Sequence, residues 1–382
     1  MYAVLRDDAP VLHVEDGDYW VLSRFVDVWD AARDTSTFSS AEGLTVTYGE
    51  RERIGLDEAA PIVMTDPPAH TAFRRLVAGG FTPRQVAQVE PEVRSFVRER
   101  LGRLEDAGGG DVVAELFKPL PSMVVAHYLG VPAADRGRFD VWTEAIVEAN
   151  AGGDVGRAAE RLVELFGYFE DLVARRRAEQ QAGGAAADDV VSQLVACQLD
   201  GTDVAPMAVL GFAFTMVAGG NDTTTGLLGV AAQLLTEHPD QRQRLIDDPS
   251  AIPVAVEEAL RLASPVQGLA RTTTRPVDLH GVTVPAGRKV LLLYASANRD
   301  PREFGPDAEQ CDLGRPIRRM MSFGYGAHHC LGAAAARLQA RVALEELLAR
   351  FPHFSVDVDA ATFAEGNYVR RYASLPMRTT GA

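Results

Sequence analysis

Cysteine is scarce: Cys197, Cys311 and Cys330 are the three among 382 residues. An odd number at irregular spacing excludes a disulfide framework and fits a reducing compartment. Basic charge is also short, with 38 Lys and Arg against 53 Asp and Glu and a formal net charge of -15. No global positive field exists to attract phosphate, so a nucleic-acid partner is not expected. Long apolar runs are missing too. No stretch of about 18 residues is free of charge and turn residues, so no membrane-spanning helix is expected. The first residues, "MYAVLRDDAPVLHVEDGDYW", lack a basic segment leading into an apolar one, and a cytoplasmic location is expected. No Pro/Ser-rich linker, compositional shift or internal repeat divides the chain, so the expectation is a single domain over residues 1–382.

What the chain has is apolar material for a core, at 47% of residues, arranged mostly in helical periods. In "RAAERLVELFGYFEDLVARRRAEQ", Leu162, Leu165, Phe166, Phe169 and Val173 recur on one face. Two stretches alternate instead. "PVLHVEDGDYWVLSRF" reads as a hairpin around Asp16-Gly17, and "VDLHGVTVPAGRKVLLLYAS" as another turning at His280-Gly281. The fold class is therefore mainly α with small β-sheets. Glycine clusters at 107–110, 151–154 and 182–189 read as breaks between helices.

The segment "FGYGAHHCLGAAAARLQARVALEELLAR" concentrates chemistry. A Gly-rich run ends at Cys330, and a helix pattern starts just after it, at Leu331. Free N–H groups and the helix dipole at that end favour an anion, which predicts a lowered thiol pKa. Gly324, Gly326 and Gly332 leave room for something flat against the sulfur. A thiolate held open beneath a planar group is an arrangement for ligating haem iron. The plain alternative is a capping loop with a small buried cysteine. Zinc fits less well, because Cys330, His328 and His329 are too close in sequence to share one tetrahedral site.

Three other features are ambiguous singly. "VLGFAFTMVAGGNDTTTGLLGVAAQLL" is apolar except at its centre. Either a turn joins two helices there, or one buried helix has its hydrogen-bond ladder opened, and local propensity favours the turn. His70 and Arg74 share a helix face, as any solvated pair does. Glu258 and Arg261 are an i,i+3 pair of a kind that is common and weak on surfaces.

Taken together these stretches resemble the cytochromes P450 over nearly the whole chain, from the first hairpin to "YVRRYASLPMR" at 368–378. Phe323, Gly324, Gly326, His328, Cys330 and Gly332 match every fixed position of that family's haem-binding signature. The resemblance implies a prism-like helical region plus a β-rich region, haem b (iron protoporphyrin IX) as cofactor, and Cys330 as iron ligand. Phe323, Gly324 and Gly332 would border the haem, and His70, Arg74, Arg271 and His328 would contact its propionates. Gly219 to Thr223 match the oxygen-activation motif, with Asp222 and Thr223 delivering protons, which favours the opened helix. Glu258 and Arg261 match a buried structural pair behind the haem. The segment after it departs from the family at Gln310 and Cys311, where Arg and Phe are common, so a third partner for the pair is in doubt and Cys311 is expected to fill the Phe site.

By the same resemblance the protein is a monomeric monooxygenase of secondary metabolism. It inserts one oxygen atom from O2 into a largely apolar small molecule by hydroxylation or epoxidation, with electrons from a ferredoxin and its reductase. A peroxide-driven peroxygenase, a non-oxygenase isomerase and a haem sensor are the alternatives. The pocket is expected between 44–63, 146–166, 214–218, 266–270 and 369–372, with Phe214, Val217, Ala218, Val266, Leu269 and Ala270 in its wall and a lid in the 150s. Arg74, Arg75, Arg318, Arg319, Arg337 and Arg341 form a candidate docking patch for an acidic electron carrier. His329 has no role assigned.

Overall fold

A computed structural model describes residues 1–53, 60–152, 159–183, 189–199, 201–366 and 369–379. Most of the expected lid in the 150s, at 153–158, and most of the 182–189 break, at 184–188, lie outside the described residues.

The first hairpin forms as its alternation predicts. Strand β1 (Val11–Val14) pairs antiparallel with β2 (Tyr19–Leu22), in register Val11 to Leu22. A short 3-10 turn at Glu15–Gly17 and a left-handed Asp18 (φ 48°) reverse the chain. Three further strands complete a five-stranded sheet: β3 (Phe38–Ser39), β4 (Leu269–Thr273) and β5 (Lys289–Leu292), in the order β1-β2-β5-β4-β3. The second hairpin is shorter than its alternating stretch. Val277–Leu279 and Val282–Val284 pair across His280 and Gly281, both left-handed, at φ 50° and 79°, as a two-residue turn of matching twist requires. The chain then leaves that hairpin, and β5 inserts between β2, parallel, and β4, antiparallel. Its buried Val290 and Leu292 join the apolar cluster of Trp20, Leu22 and Phe38 from the larger sheet and Phe25 from the helix after β2.

The rest is helical. The helices that carry the site are α1 (Ala69–Ala78), α2 (Pro206–Gly220), α3 (Asp222–Glu237), α4 (Ile252–Ala263) and α5 (Ala333–Arg350). Helices α3, α4 and α5 pack on one another, and α5 also lies along the helix Glu90–Asp106. Their buried faces join one large apolar core, with Leu227, Leu228, Leu260, Val342 and Leu344 at its centre. Phe304 packs against both this core and the sheet core. Helix Ala159–Gln181 buries Leu165, Phe169 and Val173, the face its periodicity marked. Among the described residues no helix is long and apolar enough to cross a membrane.

Candidate active site

The loop before α5 is closed by its own backbone: the Cys330 N–H donates to the Phe323 carbonyl at 2.8 Å. Gly324 and Gly326 take left-handed φ values of 63° and 73°. At Gly326 a Cβ would also sit 2.9 Å from the Ala32 carbonyl oxygen, so both conformation and space demand glycine there. Tyr325 stacks on Trp29 at 3.5 Å between ring centroids, and the Arg337 guanidinium lies 4.6 Å from the Phe323 ring centre. No neighbouring atom lies within 4 Å of where a Cβ on Gly332 would project.

Helix α5 begins at Ala333 with Gly332 as its N-cap, two residues later than expected, and this corrects the thiol's electrostatics. Cys330 precedes the cap, and the dipole's effect falls off within the first turn. Burial pushes the Cys330 thiol up. The Gly332 N–H and the cations of Arg74 and Arg337 oppose that shift without reversing it. Cys330 as a residue is nonetheless exposed. A thiol so placed ionises readily only with a cation set against the sulfur, as a metal supplies.

Beside this loop four basic side chains converge. His70 from α1 is 2% exposed, and its Nδ1 has no hydrogen-bond partner. Its ring lies 4.3 Å from that of His328, whose Nε2 is 3.2 Å from the Ser40 hydroxyl. Arg74, one turn after His70, donates to the His329 carbonyl at 2.5 Å. Arg271, buried on β4, donates to the Ala270 carbonyl at 2.8 Å. Burial, helped by Arg271, His70 and Arg74, depresses His328 to about 3. Burial and Arg74 also lower His70, against the opposing pull of Asp66. That carboxylate is committed to Ser39 and Ser40. Crowded basic groups with an unpaired buried nitrogen among them fit a partner carrying its own carboxylates, as a porphyrin does.

The interrupted helix is opened rather than turned, contrary to the propensity-based reading. One residue, Asn221, separates α2 from α3, and its dihedrals stay right-handed at φ -90° and ψ -62°. The apolar flanks hold the axis through a stretch that propensity alone would break. Side chains add donors across the break. Asn221 Nδ2 donates to the Val217 carbonyl at 2.6 Å and the Thr223 hydroxyl to the Gly219 carbonyl at 3.0 Å. The Thr225 hydroxyl reaches both the Asn221 and Phe117 carbonyls at 3.0 Å. Gly219 is exposed although it lies within a largely buried helix, and nothing stands within 4 Å of its Cβ position.

Asp222 Oδ1 lies 2.5 Å from Arg371 Nε, with both side chains mostly buried. Burial raises the carboxyl to about 6, against the lowering effects of Arg371 and, further off, Lys118. Arg371 was missed from the sequence, although two adjacent arginines in the otherwise apolar "YVRRYASLPM" are an irregularity that marks it. Of the expected pocket wall, Phe214, Ala218, Val266 and Leu269 are partly exposed. Val217 and Ala270 are fully buried among their neighbours.

Glu258 and Arg261 on α4 are completely buried and joined by two bonds of 2.7 Å each. Arg261 also donates to the carbonyls of Asn298, Ala308 and Gln310. The doubtful third partner exists from another position. Arg315 Nε lies 3.3 Å from Glu258 Oε1, which also accepts from the Asp312 N–H at 3.0 Å. Gln310 thus contributes only its backbone. Cys311 packs against the large core, and burial beside Glu258 holds its thiol up at about 12. The arginine patch is smaller than expected, because Arg319 pairs with Glu303, Arg337 with Glu257, and Arg341 with Glu90 and Glu345.

Comparison with known proteins agrees with this geometry. The Cytochrome P450 family model matches residues 150–366. Cytochrome P450 130 of Mycobacterium tuberculosis is 58% identical, covering 100% of this chain and 94% of that protein. The chain belongs to the cytochrome P450 family. Vitamin D(3) 25-hydroxylase of Pseudonocardia autotrophica is 35% identical over 98% of this chain and 92% of its own. The crystal structure of CYP109E1 from Bacillus megaterium in complex with testosterone superposes with a TM-score of 0.87 at 30% identity, covering 99% and 98% of the two chains. The protein is a P450 monooxygenase that uses haem b, O2, a redox partner and a small-molecule substrate. Its residues fit the cofactor on their own evidence: an exposed cysteine bordered by glycine, four converging basic groups, and a helix opened beside an exposed glycine.

Proposed function

We propose that the protein, as one domain over residues 1–382 and a cytoplasmic monomer, oxidises a bulky apolar substrate with electrons from a ferredoxin and its reductase. Haem, when bound, supplies the iron at which dioxygen is activated. Cys330 is its ligand, with Phe323, Gly324 and Gly332 beside it. His70, Arg74, Arg271 and His328 take the propionates. Glu258 and Arg261 hold the core behind the loop.

The observation that carries the reading is the opened helix. The Thr223 hydroxyl donates to the Gly219 carbonyl one turn back, beside the break, and a hydroxyl can rotate to another acceptor. Asp222 beside it is poised near neutrality, where a carboxyl both takes and gives a proton. Together they relay solvent protons to the reacting centre. The partly exposed Phe214, Ala218, Val266 and Leu269 favour an apolar ligand, which is consistent with the names of the vitamin D(3) hydroxylase and the testosterone complex.

Electron flow into product tests the reading. With a surrogate ferredoxin and reductase, a substrate found by spin-shift screening and NADH as donor, the wild type should convert most electrons to product. Thr223→Ala should divert most of them to peroxide and water. Equal coupling in the two proteins would remove the relay.

A further inference from the structure

The Asp222–Arg371 contact is built by close packing of two distant parts of the chain. Residues 370–372 cross α3 where it carries two buried glycines. A Cβ on Gly226 would lie 2.6 Å from the Arg370 carbonyl oxygen, and one on Gly229 would lie 2.8 Å from Tyr372 Cδ2. No larger side chain fits without moving the crossing segment. Tyr372 then fastens it, donating from its hydroxyl to Gln233 Oε1 at 2.7 Å. On the other side the Arg370 N–H donates to the Pro265 carbonyl at 2.7 Å, and Val369 forms a β-bridge with Val266. The backbone on both flanks of Arg371 is thereby fixed, and its guanidinium is set against Asp222.

We propose that Arg371 is the positioning residue for Asp222, holding the acid as a carboxylate until protonation releases it for proton delivery. The inference rests on the reading of Asp222 as a proton donor and adds what governs it. A carboxylate paired to a guanidinium accepts hydrogen bonds and donates none. Taking up a proton removes the charge that binds Arg371, so charging and pairing are two faces of one equilibrium. Burial pushes Asp222 towards the protonated, released state and Arg371 pulls it back, leaving the balance near pH 6. The other charged group acting on Asp222 is Lys118, from the turn before the helix Pro119–Tyr128, and it is itself bonded to Glu144. Arg371 is thus the nearer control.

The test uses haem-loaded protein checked by its carbon-monoxide difference spectrum. The protonated-carboxyl infrared band assigned to Asp222, by its absence in Asp222→Asn, is titrated in wild type, Arg371→Ala, Arg371→Gln and Arg371→Lys. Losing an opposite charge at this distance should raise the midpoint by about 1–3 pH units in the Ala and Gln variants, and Lys should restore much of the shift. The pH profile of peroxide release during substrate-free, ferredoxin-driven turnover should move in the same direction. An unmoved midpoint in Arg371→Gln, or equal shifts in the Gln and Lys variants, overturns the proposal; Gln decides the matter if Ala fails to take up haem. If Asp222→Asn keeps full coupling of electrons to product, the donor reading itself fails, a result independent of the midpoints.

Discussion

Two buried carboxylate–guanidinium pairs in this molecule have opposite construction. Glu258 and Arg261 meet through two bonds, and the other three N–H groups of that guanidinium reach the carbonyls of Asn298, Ala308 and Gln310. Arg315 and the Asp312 N–H bind the same carboxylate from outside. Asp222 and Arg371 meet through one nitrogen and one oxygen. Over-determination makes the first pair a fixed support, because no single proton or rotation releases it. A single contact makes the second reversible, and burial has already brought its acid close to neutrality. Burial alone therefore says little about what an ion pair is for; the number of independent bonds on each partner decides it.

The largest expected effect comes from breaking the fixed pair. Arg261→Ala leaves Glu258 charged and buried, and should cost about 3–5 kcal/mol, read as a fall in the urea midpoint and poor haem retention. Arg315→Ala removes one outer bond from Glu258 while leaving the pair intact. It should cost about 1–3 kcal/mol in the same titration; a loss equal to that of Arg261→Ala would mean that the third partner carries the pair. The smallest effect sharpens the reversible side. Asp222 has its folded pKa raised from 3.8 to about 6, so between those values the folded state binds more protons than the unfolded one. Stability from this group therefore falls as pH rises through that window and is level above it. Denaturant titrations at several pH values should show this downward slope in the wild type and a flatter one in Asp222→Asn.

What could be read in advance was what lies close together in the chain. The loop from Phe323 to Gly332 and the i,i+3 placement of Glu258 and Arg261 are local patterns, and the helical and hairpin periods gave the fold class. Partners supplied from afar were hidden. Arg315 stands for the expected arginine at Gln310 because the loop folds back on Glu258, and Arg371 reaches Asp222 only because glycines on α3 admit the crossing strand. Propensity misjudged Asn221, since its side chain donates across the break and the apolar flanks keep the axis. Proximity to a helix start misjudged Cys330, since burial outweighs a dipole that acts from beyond the cap. His329, with no role assigned from sequence, serves through its carbonyl, which holds Arg74.

The bridge between Val266 and Val369 has a consequence for redesign of this enzyme. Val369 stands two residues before Arg371 on the same strap, so substitutions made there to reshape the proposed pocket should also shift the guanidinium set against Asp222. On the proposed pocket and relay, substrate scope and electron economy are mechanically yoked at this point. Variants selected for a new substrate through position 369 should be screened for wasted NADH from the first round, and the proposed wall at Phe214 or Leu269 offers a route that leaves the strap alone.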